Sequence, residues 1–269
     1  MAEPDVVHQL DLSAVAAAGQ LLPVTPALGV VAAALLLAAV AVTGWGRLGH
    51  GRDVLRAGLR AVLQLAAVAF AITWVVGSVL TSALFVVVMF AVAVRTAGRR
   101  MTDGPGWVWA AVPIGAGVLP VLVLLLAGGL LPPKGLSVIP VAGILIGGGL
   151  TATSLAGRRA LDELRLRHGE VEAALALGFE ERDARLEICR TAAATSLVPA
   201  LDQTRTVGLV TLPGAFVGML LGGATPVQAG AVQLFVLIAL LAVEAVAIVA
   251  VLELVGRGLV TREAAHRVR

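Results

Sequence analysis

The sequence predicts an all-α polytopic membrane protein, a single transmembrane domain (1–269) of seven helices with its N-terminus outside and its C-terminus in the cytoplasm. Hydrophobic residues make up 59% of the 269 residues and charged residues only 14%, which is too much apolar surface for one water-facing core. The apolar residues come in unbroken runs, as in membrane helices, rather than in the alternation of a membrane barrel. The basic residues gather between those runs.

Seven apolar runs are the predicted spans. A helix needs about 20 apolar residues to cross the hydrocarbon core, where it satisfies its own backbone polar groups. The runs are residues 27–43, 61–80, 82–94, 107–131, 138–156, 197–222 and 227–255. The second and third are nearly fused, and one helix through both would be about 50 Å long against a core of about 30 Å. We therefore expect two short helices in a tight hairpin, separated by the polar residues at 77–78 and 81–82.

The distribution of arginine supports this count and sets the orientation. Basic residues favour cytoplasmic loops, and seven spans place the clusters at 47–60, 95–100, 158–190 and 257–269 on one side. Of the 20 basic residues only Lys134 falls opposite, while Arg205 lies inside a span near its cytoplasmic end. Merging the hairpin into one span would place the first cluster opposite the others. Residues 1–26 carry acidic residues and no basic one, so we expect an extracytoplasmic segment that is not a secretory signal.

The residue types that are missing exclude several functions. No Gly-x-x-x-x-Gly-Lys-Ser/Thr loop is present, so we expect no cofactor in this chain, with ATP and Mg²⁺ on a partner subunit if ATP is used. Cys189 is the only cysteine, and no histidine lies in a predicted span, which excludes thiolate and imidazole metal sites at membrane depth within one subunit. No Gly-x-Ser-x-Gly elbow appears, so we expect no enzyme. The arginines anchor the spans in the lipid bilayer and do not indicate nucleic acid. Transport, signalling and scaffolding remain as the possible functions of this chain.

The polar segment, residues 157–195, is the longest interruption of the apolar sequence. Its charged residues are mixed in sign, and apolar residues recur at helical spacing, which predicts amphipathic helix outside the membrane. Gly178 is placed to end a first helix with a left-handed C-cap. The acidic residues Glu180, Glu181 and Asp183 suit the first turn of a second helix. The segment therefore predicts helix, glycine turn, helix on the cytoplasmic face.

Part of this segment resembles a known motif. Glu172-Ala173-Ala174, with Gly178 six residues after the glutamate and Ile188 ten beyond the glycine, resembles the EAA loop of ABC-transporter permeases. The Leu-Pro that follows in that motif is replaced by Arg-Thr at 190–191. The resemblance implies that Glu172, Ala173, Ala174 and Gly178 couple the chain to an ABC ATPase subunit, with small side chains seating a helix in the partner's groove. A solvated connector is the alternative.

A second, more specific resemblance lies downstream. The stretch 199–214, Pro-Ala-Leu-Asp-Gln-Thr-Arg-Thr-Val-Gly-Leu-Val-Thr-Leu-Pro-Gly, resembles the signature of FetB-type permeases, ABC permeases linked to iron export and related to plant aluminium-resistance permeases. Further matches lie at 60–65, 140–143 and Gln233. The resemblance implies a permease subunit of the bacterial inner membrane, a homodimer that works with a separate ATPase and exports a metal cation such as iron. Two residues depart from the family: Gly148 replaces an Asn, and Glu244 replaces a small or apolar residue.

Five polar residues in the predicted spans are transport-pathway candidates. An ionisable residue at membrane depth costs about 2.5–3.5 kcal/mol on insertion scales, so it normally faces a cavity or a partner. Glu244 is either a cation or proton site or a hydrogen-bonded carboxyl at a helix interface. Asp202 and Arg205 share a helix face and form either a structural clamp or a substrate site. Gln64 and Gln233 are oxygen ligands or interhelical hydrogen-bonding groups.

The metal itself is left open by the sequence. Available ligands are hard oxygens, which suit ferric iron, aluminium, magnesium or manganese better than copper. Two further hypotheses remain: an ion-coupled secondary transporter with Glu244 as relay, and a membrane scaffold that uses the polar segment for docking. The sequence shows no clear inverted repeat, which weighs against the secondary transporter.

Overall fold

The computed structural model describes residues 25–75 and 77–262, so the predicted extracytoplasmic segment lies outside the described residues except for its last two. Within these ranges the regular structure is helical, as predicted. The helices are α1 (Pro26–Trp45), α2 (Gly51–Val75), α3 (Val79–Met101), α4 (Ala111–Ala127), α5 (Gly135–Leu166), α6 (His168–Ala176), α7 (Glu181–Ala194), α8 (Val198–Thr206), α9 (Gly214–Leu221) and α10 (Pro226–Gly256). Short 3₁₀ helices at Pro105–Ala110 and Thr195–Leu197 lead into α4 and α8.

Six helical segments of the described chain are long and apolar enough to cross a membrane. They are α1, α2, α3, the 3₁₀ turn with α4, α5 and α10, and they correspond to six of the seven predicted spans. With 32 residues, α5 is about 48 Å long, so it extends well beyond a hydrocarbon core of about 30 Å. Its apolar part is the predicted span, and its last turns are the arginine-rich beginning of the polar segment.

The remaining predicted span, residues 197–222, is not one helix. It forms α8 and α9, of nine and eight residues, which are too short to cross the core separately. Gly208 adopts φ +80° and its N–H donates to the Thr211 carbonyl at 2.9 Å, which turns the chain. Pro213, which has no N–H, directly precedes α9. The seven-helix count is therefore not confirmed.

The second and third predicted spans are two separate helices, and each is longer than expected. α2 begins ten residues before its apolar run, and α3 continues through Arg99 and Arg100 to Met101. Gly77 and Ser78 lie between the two helices, and the Ser78 hydroxyl accepts a hydrogen bond from the Leu80 N–H. The hydroxyls of Thr81 and Ser82 donate to the Val75 carbonyl at 2.7 and 2.9 Å. Because these hydroxyls satisfy a carbonyl at the end of α2, the apolar run can be interrupted at membrane depth.

The described residues form two compact units. The first contains α1, α2 up to Trp74 and residues 219–224. Within it, a Cβ added to Gly58 would lie 2.6 Å from the Leu36 side chain, so the glycine lets α2 approach α1 closely.

The second unit holds the remaining helices around α5 and α10. Leu145 of α5, Ile114 of α4 and Val243 of α10 are buried in its core. Alanine and glycine line the contacts between helices, as is usual where helices pack in a membrane.

One close contact in this unit yields a stability prediction. A Cβ at Gly98 of α3 would lie 2.1 Å from the Trp107 carbonyl oxygen, a backbone atom that cannot move alone. We expect Gly98→Ala to destabilise the protein by about 1–3 kcal/mol, the range for overpacking. Thermal unfolding in detergent measures the loss. Gly44→Ala is the matched control because a Cβ there meets nothing within 4 Å, and equal melting temperatures for the two variants would contradict the close packing.

Candidate functional site

The polar segment has the predicted order of helix, glycine turn and helix, with one difference. Its first part is not a separate helix but the continuation of α5 to Leu166, followed by the short α6. Gly178 has φ +90°, the Phe179 N–H donates to the Ala174 carbonyl, and the Gly178 N–H donates to the Leu175 carbonyl. This is the Schellman arrangement. The prediction that Gly178 ends a helix in the left-handed conformation is confirmed.

The α6 surface, consisting of Glu172, Leu175, Leu177 and Phe179, is exposed. No residue of α6 is buried, and the side chain of Leu177 is 80% exposed, against 41% for Leu175 and 49% for Phe179. Ala173 is exposed and Ala174 half-buried. Three large apolar side chains beside a polar helix, outside the apolar spans, form a patch suited to a protein partner.

Charged pairs surround this surface. The Arg167 guanidinium donates to Glu170 and, at 3.3 Å, to Glu163. Hydrogen bonding to Arg167 holds the pKa of the Glu170 carboxyl below its usual range. His168 Nδ1 lies 3.3 Å from a Glu172 oxygen. The exposed pairs add little stability but fix the orientation of charge around α6.

The Glu253 clamp, consisting of Arg182, Glu253 and Arg257, joins α7 to α10. Arg182 donates to both oxygens of Glu253, at 2.8 and 2.7 Å, and Arg257 donates to one of them at 2.6 Å. Nearby, a Cβ on Gly256 would lie 2.9 Å from Leu186 Cγ, so the two helices also touch closely. The clamp was not predicted from the sequence, because Arg182 and Glu253 are 71 positions apart.

Cys189 lies on the inner side of α7. Its side chain is buried, and burial raises the pKa of the Cys189 thiol to about 11. A thiol with that pKa stays protonated near neutral pH and is a poor metal ligand. In the described part of the chain, moreover, no three His, Cys, Asp or Glu residues are grouped for a metal ion.

The residues that follow α10 connect the neighbouring ends of α3 and α5 through hydrogen bonds and an ion pair. The Thr102 hydroxyl donates to the Thr261 carbonyl at 2.7 Å, and Arg262 Nε donates to the Met101 carbonyl at 3.0 Å. Arg262 also pairs with Asp162 of α5. The ends of α3, α5 and α10 are thereby held together beside α7.

A cavity of about 280 Å³ lies between α5, α8 and α10 of the second unit. Glu244, Gln203, Thr151 and Ser196 supply its polar groups. The remaining lining residues are Ile144, Gly147, Gly148, Leu155, Pro199, Ala200 and Leu240. Thr151 and Gln203 are exposed, so the cavity opens to the surface of the unit. Its size is near the lower end of small-molecule sites.

Glu244 is the only ionisable residue in the cavity lining. Its half-buried side chain forms no hydrogen bond or ion pair with any described residue. A Cβ on Gly148 would lie 3.1 Å from Glu244 Oε1 and 2.6 Å from Leu240 Cδ2. The two positions that depart from the family pattern therefore face each other across the α5–α10 contact, and the missing side chain at 148 makes room for the carboxyl.

The other transport candidates lie outside this cavity. Asp202 and Arg205 pair at 3.5 Å as predicted and are both exposed. Gln64 is exposed on α2, in the first unit. Gln233 is buried, and its Oε1 has no hydrogen-bond partner among the described residues, so the expected interhelical hydrogen bond of that oxygen is not observed. It shares a face of α10 with Glu244, about 16 Å away along the helix.

Sequence analysis missed the neutral groups of the cavity. Gln203 directly follows Asp202 in the recognised stretch, and Thr151 lies one turn after Gly147 and Gly148 on α5. The available signal was helical spacing from the triple glycine at 147–149 for Thr151 and membership of the recognised stretch for Gln203. Arg159 was counted only among the topology anchors, yet it donates to the hydroxyls of Thr195, at 2.6 Å, and Ser196, at 3.4 Å.

The sequence of this chain matches that of a known protein family. The family described as "Uncharacterised protein family (UPF0014)" matches residues 27–260. This chain belongs to the UPF0014 family. The "UPF0014 membrane protein STAR2" of Oryza sativa subsp. japonica is 34% identical over 211 residues, covering 77% of this chain and 74% of the relative. The "UPF0014 membrane protein slr1647" of Synechocystis sp. is 30% identical over 232 residues, 83% and 89% of the two chains.

A further UPF0014 relative carries a functional name. The "Probable iron export permease protein FetB" of Escherichia coli is 26% identical over 218 residues, covering 77% of this chain and 81% of the relative. The resemblance to FetB-type permeases is thereby confirmed, and the chain is a membrane protein of this family. No solved structure matches the chain significantly.

Proposed function

We propose that this UPF0014 protein is the permease subunit of an ATP-driven exporter in a bacterial plasma membrane. In this proposal it works as a homodimer with a separate ABC ATPase subunit and exports a metal cation such as iron. The observation that carries it is the exposed α6 surface, an apolar patch outside the spans that is joined through α7 to the helices lining a cavity. The name of the E. coli relative supports iron as the first cargo to test.

The position of α6 suits it to contact the ATPase and to transmit the movement of that subunit to the membrane helices. Glu172, Ala173 and Ala174 lie on α6, and Gly178 ends it, so the four predicted coupling residues are contiguous. α7 then connects them to α10 through the Glu253 clamp and packs against α5. A partner that moves α6 would thus act on two walls of the cavity.

The distribution of arginine residues supports the proposed orientation of the protein in the membrane. Arginines cluster at the ends of α3, α5 and α10 that lie beside α7 and on α7 itself, while Lys134 precedes α5 at its opposite end. By the preference of basic residues for cytoplasmic loops, α6 and α7 face the cytoplasm, where ATP is found. The proposed topology retains seven spans, with α8 and α9 together forming the broken one.

Substitutions on the α6 surface test the coupling role. We expect Leu177→Asp, and separately the pair Glu172→Arg with Gly178→Val, to lower ATP-driven transport at least about tenfold, because a buried charge or a lost hot spot at an interface costs about 2 kcal/mol or more. Co-purification of the ATPase from the same cells and transport in proteoliposomes measure the effect. Leu130→Asp is the matched control, since Leu130 is 70% exposed at the opposite end of α5. Normal docking and transport in the α6 variants would refute the coupling role.

One observation favours a second candidate function. Because Glu244 is unpaired in a cavity at membrane depth, an ion-coupled secondary transporter with Glu244 as its relay is also consistent with the geometry. That candidate predicts transport in proteoliposomes driven by a proton gradient without any ATPase, and its loss in Glu244→Gln. A strict requirement for the ATPase would eliminate it.

A further inference from the structure

The cavity differs from an ordinary gap between helices because the one ionisable side chain in its described lining has no partner. Carboxylates at membrane depth normally face a partner or water, since the uncompensated charge is costly. Glu244 has no such partner among the described residues, while Gly148 opposite it leaves space for the carboxyl. A site that keeps a carboxylate available and accessible is prepared for a ligand of opposite charge.

Neutral oxygens are available in the same lining. The Thr151 hydroxyl donates its proton to the Gly147 carbonyl at 3.0 Å, so the lone pairs of its oxygen remain free. The side-chain amide of Gln203 supplies another oxygen, and no sulfur or imidazole is present in the lining. One carboxylate with neutral oxygens and retained water is the usual surrounding of Mg²⁺, and carboxylate, carbonyl and water also suit Mn²⁺.

The volume agrees with a hydrated ion. One water needs about 10–15 Å³ of such cavity volume, so the cavity of about 280 Å³ has room for an ion with a shell of six waters. The Arg159 guanidinium, bound to Ser196 at one edge of the cavity, disfavours a cation there. A cation in the cavity is therefore more stable near Glu244 than near Arg159.

We infer that the cavity between α5, α8 and α10 is a binding site for a divalent metal cation that keeps part of its water shell, with Glu244 as its carboxylate ligand and Thr151 and Gln203 as neutral oxygen neighbours. The inference rests on the proposed export function and names the class of its cargo. A single carboxylate binds such an ion loosely enough to release it, which a transport site requires.

Equilibrium binding of Mn²⁺ to the detergent-solubilised full chain, without any ATPase, tests the inference. Electron paramagnetic resonance of free Mn²⁺ gives the bound fraction. We expect one site per chain in the unmodified protein and at least about tenfold weaker binding in Glu244→Gln, the usual scale for removing one partner of a close charge pair. Gly148→Ala, which keeps every ligand but places a Cβ 3.1 Å from Glu244 Oε1, should weaken binding in the same direction. Glu187→Gln, an exposed carboxylate of α7 outside the cavity lining, should leave it unchanged.

The other possible results of the Mn²⁺ binding experiment distinguish failure of the cation site from failure of the proposed function. Mn²⁺ binding that Glu244→Gln and Gly148→Ala leave intact would place the ion elsewhere and overturn the inference. Displacement of Mn²⁺ by tetramethylammonium as readily as by Mg²⁺ would replace the metal with an organic cation, which also overturns it. If the unmodified chain binds no Mn²⁺ while its ATP-driven transport still depends on α6, the cation site is wrong and the proposed function stands. Transport that is independent of α6 would remove the proposed function whatever Mn²⁺ does.

Discussion

Replacing Gly147 by leucine is expected to reduce transport to background. Gly147 lines the cavity, and a Cβ added there meets nothing within 4 Å, so the larger side chain fills the cavity without forcing α5 away from its neighbours. Because the plug is neutral and apolar, it blocks the path for any cargo. We expect a loss of more than about tenfold in proteoliposome transport, with ATPase docking and the melting temperature unchanged.

Gly29→Leu is the control for this substitution. Gly29 is exposed on α1, and a Cβ there also meets nothing within 4 Å. It adds the same side chain to a membrane helix outside the cavity. If Gly147→Leu transported at the rate of Gly29→Leu, the cavity would not lie on the transport path.

Charge reversal at Glu253 is expected to uncouple the protein. Glu253→Arg brings a third guanidinium beside Arg182 and Arg257, so the attraction that joins α7 to α10 becomes repulsion. We expect ATP-driven transport to fall about five- to tenfold or more, within the range of measured coupling between distant sites. The ATPase should still bind, because the α6 surface is unchanged. Transport and ATP hydrolysis, measured together in proteoliposomes, report the ratio of the two.

A charge swap distinguishes the loss of the ion pair between α7 and α10 from nonspecific destabilisation of the protein. Arg182→Glu combined with Glu253→Arg restores one opposite-charge pair between α7 and α10 and should recover part of the lost transport. Glu187→Arg serves as the control because Glu187 is exposed on the same helix and forms none of the ion pairs found in the described chain. A loss in Glu253→Arg that the swap does not reverse would show that Glu253 acts in another way.

Local signals allowed part of this structure to be predicted. The apolar runs located the six described helices that are long and apolar enough to cross a membrane, because a membrane helix must be continuously apolar over its length. The left-handed position of Gly178 followed from its place between a helical pattern and a cluster of acidic residues, which is a matter of neighbours in sequence. The division between α2 and α3 followed from helix length and from the distribution of arginine.

The features that escaped prediction depend on contacts distant in sequence or on backbone turns. Residues 197–222 are apolar enough to resemble a span, and only the conformation of Gly208 and the position of Pro213 divide them into α8 and α9. Glu253 meets Arg182 because α7 folds back onto the end of α10, and no periodic pattern connects positions 71 residues apart. Glu244 was recognised by its cost in a membrane, but its facing of Gly148 required the packing of α5 on α10.

The length of α5 has a mechanical consequence. One uninterrupted helix runs from Gly148 at the cavity to Leu166 beside α6, a distance of about 27 Å. It acts as a lever arm, because the helix is uninterrupted here and its one proline, Pro140, lies before this half of α5. A tilt of about 10° about the cavity end would move the α6 end by about 5 Å. Domain closure of an ATPase on this scale would thus rotate a wall of the cavity, with only the turn at Arg167 between α6 and α5.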